Sequence, residues 1–352
     1  METQNSVMLE VDPELNRDLL EVTFTMSAQE ARFLVDLYYQ IQDERKRAAG
    51  QIRATTASGE PNDLLKFFFG RWEKLENDIK KALDRYSKNH PACIWMCENV
   101  LGIAGVLSVG LVAHFDIKKA PTVGHFWNFA GLNPAVEWEG KKGAEAAFKE
   151  CDGDPDKIAA MTGRKPAQMR EWAALGKKKF LANLSKPPYN KKLKMLCWKI
   201  GESFLKLHNN PKSYYGKVYF NRMIMEWTNN AAGKFADQAK NSRAGDTTAT
   251  ANWTEGRYKG SDVAKLIPQI INHELLPSKM PEMLERVGKG EGTRMLCPGQ
   301  ILARSKRYAV KRFLAHLHEV WYMKEFGKDP PNPYPIAHLG HAHWERASDA
   351  EG

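Results

Sequence analysis

Histidines are the side chains of this sequence best suited to metal chemistry, and half of them fall near its C-terminal end. Five of the ten histidines lie between residues 316 and 343. Imidazole is the commonest side-chain ligand of transition metals, so four of them are candidate ligands of a divalent metal: His316, His338, His341 and His343. No motif requires any other cofactor. The alternative is that these histidines stack and hydrogen-bond within a C-terminal tail that docks on the protein.

A second candidate site is the stretch LGIAGVLSVGLVAHF, residues 101–115. It is shorter than the roughly 18 apolar residues that a membrane-spanning helix requires. A turn at Gly102 between two helices would form a helix-hairpin-helix, in which glycine allows close approach to a phosphate and the second helix directs its first N–H groups at it. The candidate phosphate-binding residues are Gly102, Ile103, Gly105 and Val106. The alternative is a pair of helices whose small residues allow close packing.

Residues 156–172 have the pattern of a small helix-turn-helix. Gly163 lies in the turn, and Met169 is spaced to face inward. The second helix would then present Gln168 and Arg170 to a nucleic-acid groove. Helices that pack together without binding DNA have the same pattern, so both interpretations stay open.

The most informative charge signal lies in residues 170–222, which hold 13 lysines and arginines against two glutamates, with aromatic residues interleaved. A solvated surface normally mixes charges of both signs, so this imbalance favours binding of a polyanion. Lys191, Lys192, Lys194 and Lys199 would contact phosphates and make the affinity salt-dependent. The alternatives are a solvated basic face and a face that binds an acidic protein.

Three phrases of the sequence together resemble a known family. They are residues 129–134 (FAGLNP), 190–194 (NKKLK) and 198–203 (WKIGES). Over residues 95–222, with an interruption at 143–182, the chain resembles the C-terminal part of the insertion-sequence transposases related to the Piv DNA invertase. In that family a glycine hairpin precedes an "AGL-x-P" phrase and a basic helix that begins with "N-x-x-L". Residues 315–322 and 335–341 look like a divergent, phage-type subgroup.

The resemblance implies DNA binding in transposition or recombination, but it does not extend to strand cleavage. Family members carry an N-terminal ribonuclease-H-like domain with metal-binding acidic residues, whereas helices are predicted before residue 95. They also place a nucleophilic serine soon after the "AGL-x-P" phrase, while the first serine after Pro134 is Ser185. We therefore assign no catalytic residue. The alternatives are a metal-dependent nuclease that uses the C-terminal histidines and a structural protein whose basic face binds a partner.

The elements that must position these residues are predicted to be helices. Ser27 and Glu30 form a capping box that opens a helical hairpin over 27–92, which either packs on its own core or dimerises the protein. The predicted fold class is mainly α, with a coiled-coil-like N-terminal hairpin, a helical core and a C-terminal helix with a Pro- and His-rich tail. The predicted divisions are an N-terminal tail (1–26), the hairpin (27–92), a helix-hairpin-helix region (93–142), an inserted helix-turn-helix-like module (143–182), a basic helical region (183–227), a linker and irregular region (228–298), and the C-terminal helix and tail (299–352).

The composition agrees with a globular nucleic-acid-binding protein. Of 352 residues, 43% are hydrophobic, which is enough for stable cores, and the net charge is +10. Five scattered cysteines fit reduced thiols, and a polar N-terminus without a signal peptide predicts a cytoplasmic protein. The expected nucleic-acid partner is DNA, with structured DNA or a guide RNA as alternatives. The chain is also expected to bind further copies of itself in a homodimer or larger oligomer. No membrane partner is expected.

Overall fold

The computed structural model describes residues 15–133, 138–242, 248–288, 290–332, 337–338, 340 and 345–350. Over these residues the secondary structure is helical and contains no β-strand, which confirms the predicted mainly α fold. The helices are α1 (Arg17–Val22), α2 (Ala28–Ala57), α3 (Asp63–Ser87), α4 (Pro91–Asn99), α5 (Gly105–His114), α6 (Val123–Phe129), α7 (Gly140–Glu150), α8 (Pro155–Thr162), α9 (Pro166–Ala174), α10 (Lys177–Leu184), α11 (Lys191–Lys206), α12 (Tyr214–Ala231), α13 (Ala236–Lys240), α14 (Thr248–Thr254), α15 (Gly260–Ile271), α16 (Met280–Val287) and α17 (Pro298–Phe326).

The chain divides into two compact units. Unit 1 comprises Met1–Glu98 and Ile103–Asp116, and unit 2 comprises Asn99–Gly102 and Ile117–Gly352. The helix α5 and all of α4 except Asn99 therefore belong to unit 1, whereas residues 100–102 of the turn between them belong to unit 2.

A long antiparallel hairpin of α2 and α3 forms most of unit 1. The predicted capping box is present: the Ser27 hydroxyl accepts from the Glu30 N–H, and the Ser27 N–H donates to the Glu30 carboxylate at 2.7 Å. Near the middle of the hairpin, the buried Glu76 of α3 accepts hydrogen bonds from Arg45 and Gln42 of α2. Removing one partner of such a buried pair is costly, so this contact favours one register of the two helices.

The apolar helix α5 packs against both helices of that hairpin and is buried along nearly its whole length. Its high apolar content therefore reflects a position in the core of unit 1. No helix in the described part of the chain is long and apolar enough to cross a membrane.

Unit 2 is organised around α17, the long helix that packs on α6, α11 and α12. Its buried face meets an aromatic cluster, in which the rings of Phe204 and Tyr215 stack with centroids 5.1 Å apart and Phe313 packs edge-on against both. Such pairs add about 0.5 to 1.5 kcal/mol beyond their burial. The cluster fixes one side of α11 and leaves its other side to solvent.

Residues 140–184 form four short helices, α7 to α10, around a small core of their own. The core contains Cys151, Ile158, Met169, Phe180 and Leu184, all buried. The module is thus one helix larger than a three-helix unit, and its ends differ by a few residues from the predicted 143–182.

The prediction of a linker over 228–298 is wrong for the described residues, because they form α13 to α16 with large buried side chains. Trp253 packs against Trp227 and Tyr258, with ring centroids 5.7 Å and 5.0 Å apart. The segment before α17 is also held by hydrogen bonds. The Asn230 side chain donates to the Leu296 carbonyl oxygen and accepts from the Leu296 N–H, both at 2.9 Å.

Candidate nucleic-acid interface

The basic helix α11 begins at an asparagine cap. The Asn190 side chain accepts from the N–H groups of Lys192 and Leu193 at 2.9 Å and 3.1 Å. Leu193 is fully buried, so the "N-x-x-L" phrase combines a cap with the first core residue of the helix. The phrase therefore has a structural reason to begin a helix at this position.

One face of α11 is basic and aromatic, and it is open to solvent. Lys191, Lys192 and Lys194 are exposed in the first turn, and Trp198 one turn later is 57% exposed. These four residues are called the α11 face below. Lysines in a first turn are unfavourable beside the positive end of the helix dipole, and this cost is relieved when an anion binds there.

Many cations of the basic segment lack a carboxylate partner. Arg170 pairs with Asp156 and Arg222 pairs with Glu226, while Glu202 of the segment pairs with Lys306 of α17. Among the described residues, no ion pair or hydrogen bond holds the side-chain amines of Lys178, Lys179, Lys191, Lys206, Lys212 and Lys217. The charge imbalance of the sequence therefore persists on the folded surface.

The structure brings two phrases of the family resemblance together. The Asn190 N–H donates to the Phe129 carbonyl oxygen at 2.9 Å, and Gly131 lies against the Tyr189 ring. Lys194 lies 4.2 Å from the centre of the same ring and donates to its hydroxyl at 3.1 Å. Trp138, 40% exposed, packs edge-on against Tyr189. Aromatic surface for base stacking thus adjoins the lysines of the α11 face.

The helix α17 carries a second row of cations, to which the sequence analysis assigned no role. Arg304, Arg307 and Lys311 are spaced i, i+3 and i+7, which places them along one side of the helix. Burial and the charge of Arg304 lower the pKa of Arg307, and burial and the charge of Arg307 lower the pKa of Lys311. The helical spacing of these cations was the available signal.

The residues predicted to bind phosphate in the helix-hairpin-helix are packed against other parts of the protein. Gly102 has φ of +93°, and a β-carbon there would stand 2.2 Å from the Ser203 hydroxyl oxygen, which itself donates to the Gly102 carbonyl. Ile103, Gly105 and Val106 are buried.

The start of α5 is also closed by a carboxylate. A β-carbon on Gly105 would stand 2.3 Å from an Asp84 carboxylate oxygen and 2.7 Å from the Asp84 Cα. A negative charge at this helix start opposes a phosphate at the same place. The geometry therefore favours the small-residue packing alternative over a phosphate-gripping hairpin.

The helix-turn-helix prediction is matched in its local geometry. Gly163 ends α8 in the left-handed conformation, with φ of +66°, and Met169 of α9 is buried. Gln168 and Arg170 are exposed on α9, and Arg170 forms an ion pair of 2.9 Å with Asp156. Groove binding by these two residues stays a prediction.

The prediction that His316 is a metal ligand is corrected by the structure. Its Nδ1 accepts from the Tyr215 hydroxyl at 2.8 Å, and its Nε2 donates to the Glu345 carbonyl oxygen at 3.2 Å. Both ring nitrogens are therefore engaged. Burial and the nearby charge of Arg312 lower the pKa of His316 to about 4, which keeps the ring neutral.

In the described part of the chain, no group of three or more His, Cys, Asp or Glu side chains is placed to hold a metal ion. His338 is exposed, and His341 and His343 lie outside the described residues. Arg346 and Ala347 contact α17, where the Glu319 carboxylate accepts from Arg346 at 2.7 Å and from the Ala347 N–H at 3.0 Å. This contact agrees with the alternative of a docked C-terminal tail.

Nucleophilic side chains are held in structural contacts. The Ser185 hydroxyl donates to the Ala182 carbonyl oxygen at 3.0 Å. Burial raises the pKa of Cys197 to about 12 and raises that of Cys93 as well, so both thiols stay protonated near neutral pH.

No protein-family model, no curated protein and no solved structure matches this chain.

Proposed function

We propose that this protein binds nucleic acid as a transposase-like, DNA-binding protein, with the α11 face as its central contact. The observation that carries the proposal is the exposure of Lys191, Lys192 and Lys194 around a capped helix start, next to an exposed Trp198. Lysines bind phosphates, and exposed aromatic rings stack on bases.

The aromatic residues favour nucleic acid over an acidic protein. Trp198 and Trp138 are both exposed. Trp198 lies one turn after Lys194, and Trp138 packs on Tyr189, the ring that Lys194 contacts, which is the combination that stacking surfaces for unpaired bases use. Carboxylates of a protein partner would account for the lysines but give the two indole rings no specific role. Structured DNA with unpaired bases, or RNA, therefore fits this surface better than uniform duplex.

We base the transposase class on the family resemblance. The hydrogen bond from the Asn190 N–H to the Phe129 carbonyl oxygen supports it, because it joins two of the phrases that carry the resemblance. We assign DNA binding in transposition or recombination and no strand-cleaving residue. Ser185 and the buried cysteines contribute no activated nucleophile to the proposal.

Self-association through α3 is part of the same proposal. Leu64, Phe68 and Leu75 lie on one stripe of α3 and are 70%, 45% and 43% exposed. Arg71 lies within the stripe and Asp78 lies beside it, so two copies can pair in antiparallel orientation with opposite charges facing each other. A second copy of the chain is thus the partner that this face fits.

The test of the α11 face is a binding titration by fluorescence anisotropy, with labelled duplex, hairpin and four-way-junction DNA and matched RNA over a salt series. The test variant is the triple change Lys191→Ala, Lys192→Ala and Lys194→Ala. The charge-matched control removes three exposed lysines elsewhere: Lys80→Ala, Lys234→Ala and Lys259→Ala.

We expect the triple variant to flatten the dependence of log affinity on log salt by about 2 to 3. The control variant should keep most of the wild-type slope. Equal losses in both variants would reject a localised interface and leave only a general effect of net charge.

A further inference from the structure

A recess in unit 2 lies beside the first turns of α17 and is independent of the α11 face. Its volume is about 460 Å³, within the range of small-molecule sites. The polar side chains that line it are Gln238, Ser242, Gln300, Arg304 and Arg307, and none of the described lining residues is acidic. A recess of this size, in which the described wall has two guanidinium groups and no carboxylate, is suited to an anion.

The walls of the recess are fixed by contacts within the protein. The Gln300 amide donates to the Ser242 hydroxyl at 2.5 Å, and the Gln300 carbonyl accepts from the Cys297 N–H. Arg304 donates to Glu226 at 2.8 Å and to the Gln238 carbonyl at 3.1 Å. These side chains are therefore held in place before any ligand arrives, which lowers the entropic cost of binding.

Arg307 differs from these residues. Among the described residues no carboxylate, carbonyl or hydroxyl accepts from its guanidinium group. Arg304 and Lys311 lie on the same side of α17, and of the three cations only Arg304 has an ion pair in the described structure. Glu226 also serves Arg222, so one carboxylate is shared between two arginines. Within the described residues, the positive charge at the recess is thus only partly compensated.

The lowered pKa of Arg307 also favours an anion in the recess. Burial and Arg304 lower the pKa of Arg307, which means that its positive form is destabilised where it lies. Arginine does not lose its proton in proteins, so this destabilisation is relieved by an anion and not by deprotonation.

We propose that this recess binds a phosphate monoester, whose oxygens accept from the Arg307 guanidinium group beside Arg304. The guanidinium fork matches two phosphate oxygens. The Gln238 carbonyl is already engaged by Arg304, so its amide nitrogen is the donor available to a third oxygen. A dianion fits better than a carboxylate because two guanidinium groups line the recess, and the one carboxylate paired with Arg304 is shared with Arg222. The ligand is either the phosphorylated end of a nucleic-acid strand or a free phosphorylated small molecule.

The first experiment is isothermal titration calorimetry of the full-length protein with inorganic phosphate at constant ionic strength. We expect saturable binding, weakened about tenfold or more by Arg307→Gln. The matched control is Lys212→Gln, which removes an exposed cation without an ion pair elsewhere in unit 2 and should leave phosphate binding unchanged. Circular dichroism confirms that both variants keep their helix content.

Absence of saturable binding, or equal affinity in the wild type and Arg307→Gln, would overturn the proposal. The triple-lysine variant of the α11 face serves as a second control. It should bind inorganic phosphate normally, so a failure of the nucleic-acid proposal and a failure of this one give different results.

Two further titrations separate the sources of the phosphate group. One compares an oligonucleotide that carries a 5′-phosphate with the same oligonucleotide that ends in a 5′-hydroxyl. A gain from the 5′-phosphate that disappears in Arg307→Gln identifies a strand end. The other uses a nucleoside 5′-monophosphate, and binding that is lost in Arg307→Gln, without any gain from the strand's 5′-phosphate, identifies a small molecule.

Discussion

Gly105 of α5 lies directly against the backbone of Asp84 in α3. The glycine is needed there because a β-carbon would stand only 2.7 Å from the Asp84 Cα. The two helices cross closely at this point, and neither can move away without disturbing the hairpin on which α5 packs.

Gly105→Ala should therefore destabilise unit 1 by about 1 to 3 kcal/mol through overpacking. Urea unfolding followed by circular dichroism measures this change. The matched control is Gly50→Ala in α2, where nothing lies within 4 Å of the added carbon and the change should stabilise the helix by about 0.5 to 1 kcal/mol. If Gly105→Ala instead weakened nucleic-acid binding at unchanged stability, the hairpin would have to be reinstated as a binding element.

Trp198 should contribute stacking and not charge. We expect Trp198→Ala to weaken binding of single-stranded nucleic acid by about 1 to 3 kcal/mol while leaving the salt slope unchanged. Trp198→Phe should retain much of the affinity, because a ring remains at the exposed position. Anisotropy titrations at two or more salt concentrations separate the two effects, and a changed slope with unchanged low-salt affinity would contradict a stacking role.

The buried His316 predicts a loss of stability on acidification. Its folded-state pKa of about 4 lies below its ordinary value of 6.5. The stability contributed by the neutral ring is therefore fully present above about pH 6.5 and is lost as the pH falls toward about 4. Between pH 7 and pH 5 this amounts to about 2 kcal/mol.

His316→Asn should reduce that pH dependence, whatever its effect on stability at pH 7. Urea unfolding at both pH values gives the comparison. A variant that loses as much stability as the wild type between pH 7 and pH 5 would show that another group controls the acid sensitivity.

The α3 stripe should control self-association. We expect Leu64→Gln with Phe68→Gln to shift the protein toward monomer in sedimentation velocity experiments, because each removes an exposed apolar side chain from the proposed contact. Leu276→Gln is the control, since Leu276 is 63% exposed but isolated in sequence from the stripe. A wild-type protein that stays monomeric at tens of micromolar would rule the contact out.

Local signals predicted the helix starts well. Ser27 and Glu30 predicted the start of α2 through a capping box, whereas the start of α11 was expected from the family phrase "N-x-x-L", in which Asn190 is the cap and Leu193 a core position. Both depend on residues three apart, whose interaction is set by helix geometry alone.

Long-range packing could not be predicted from the sequence. The glycines near residue 105 fit a phosphate loop and a close helix crossing equally well, and only the position of Asp84 distinguishes the two. The segment after residue 228 looked like a linker because its large apolar residues are widely spaced. Trp253 and Tyr258 nevertheless form a core with Trp227, which belongs to another helix.

The four-helix module α7 to α10 leaves and rejoins unit 2 at neighbouring points. Trp138 stands before it and Tyr189 follows it, and their rings are 5.4 Å apart. The module also has its own core, so its folding draws little on the surrounding helices. With its ends this close together, the module can be gained, lost or replaced in evolution while α6 and α11 keep their positions. A protein engineer can replace the module by a short flexible linker between its two ends.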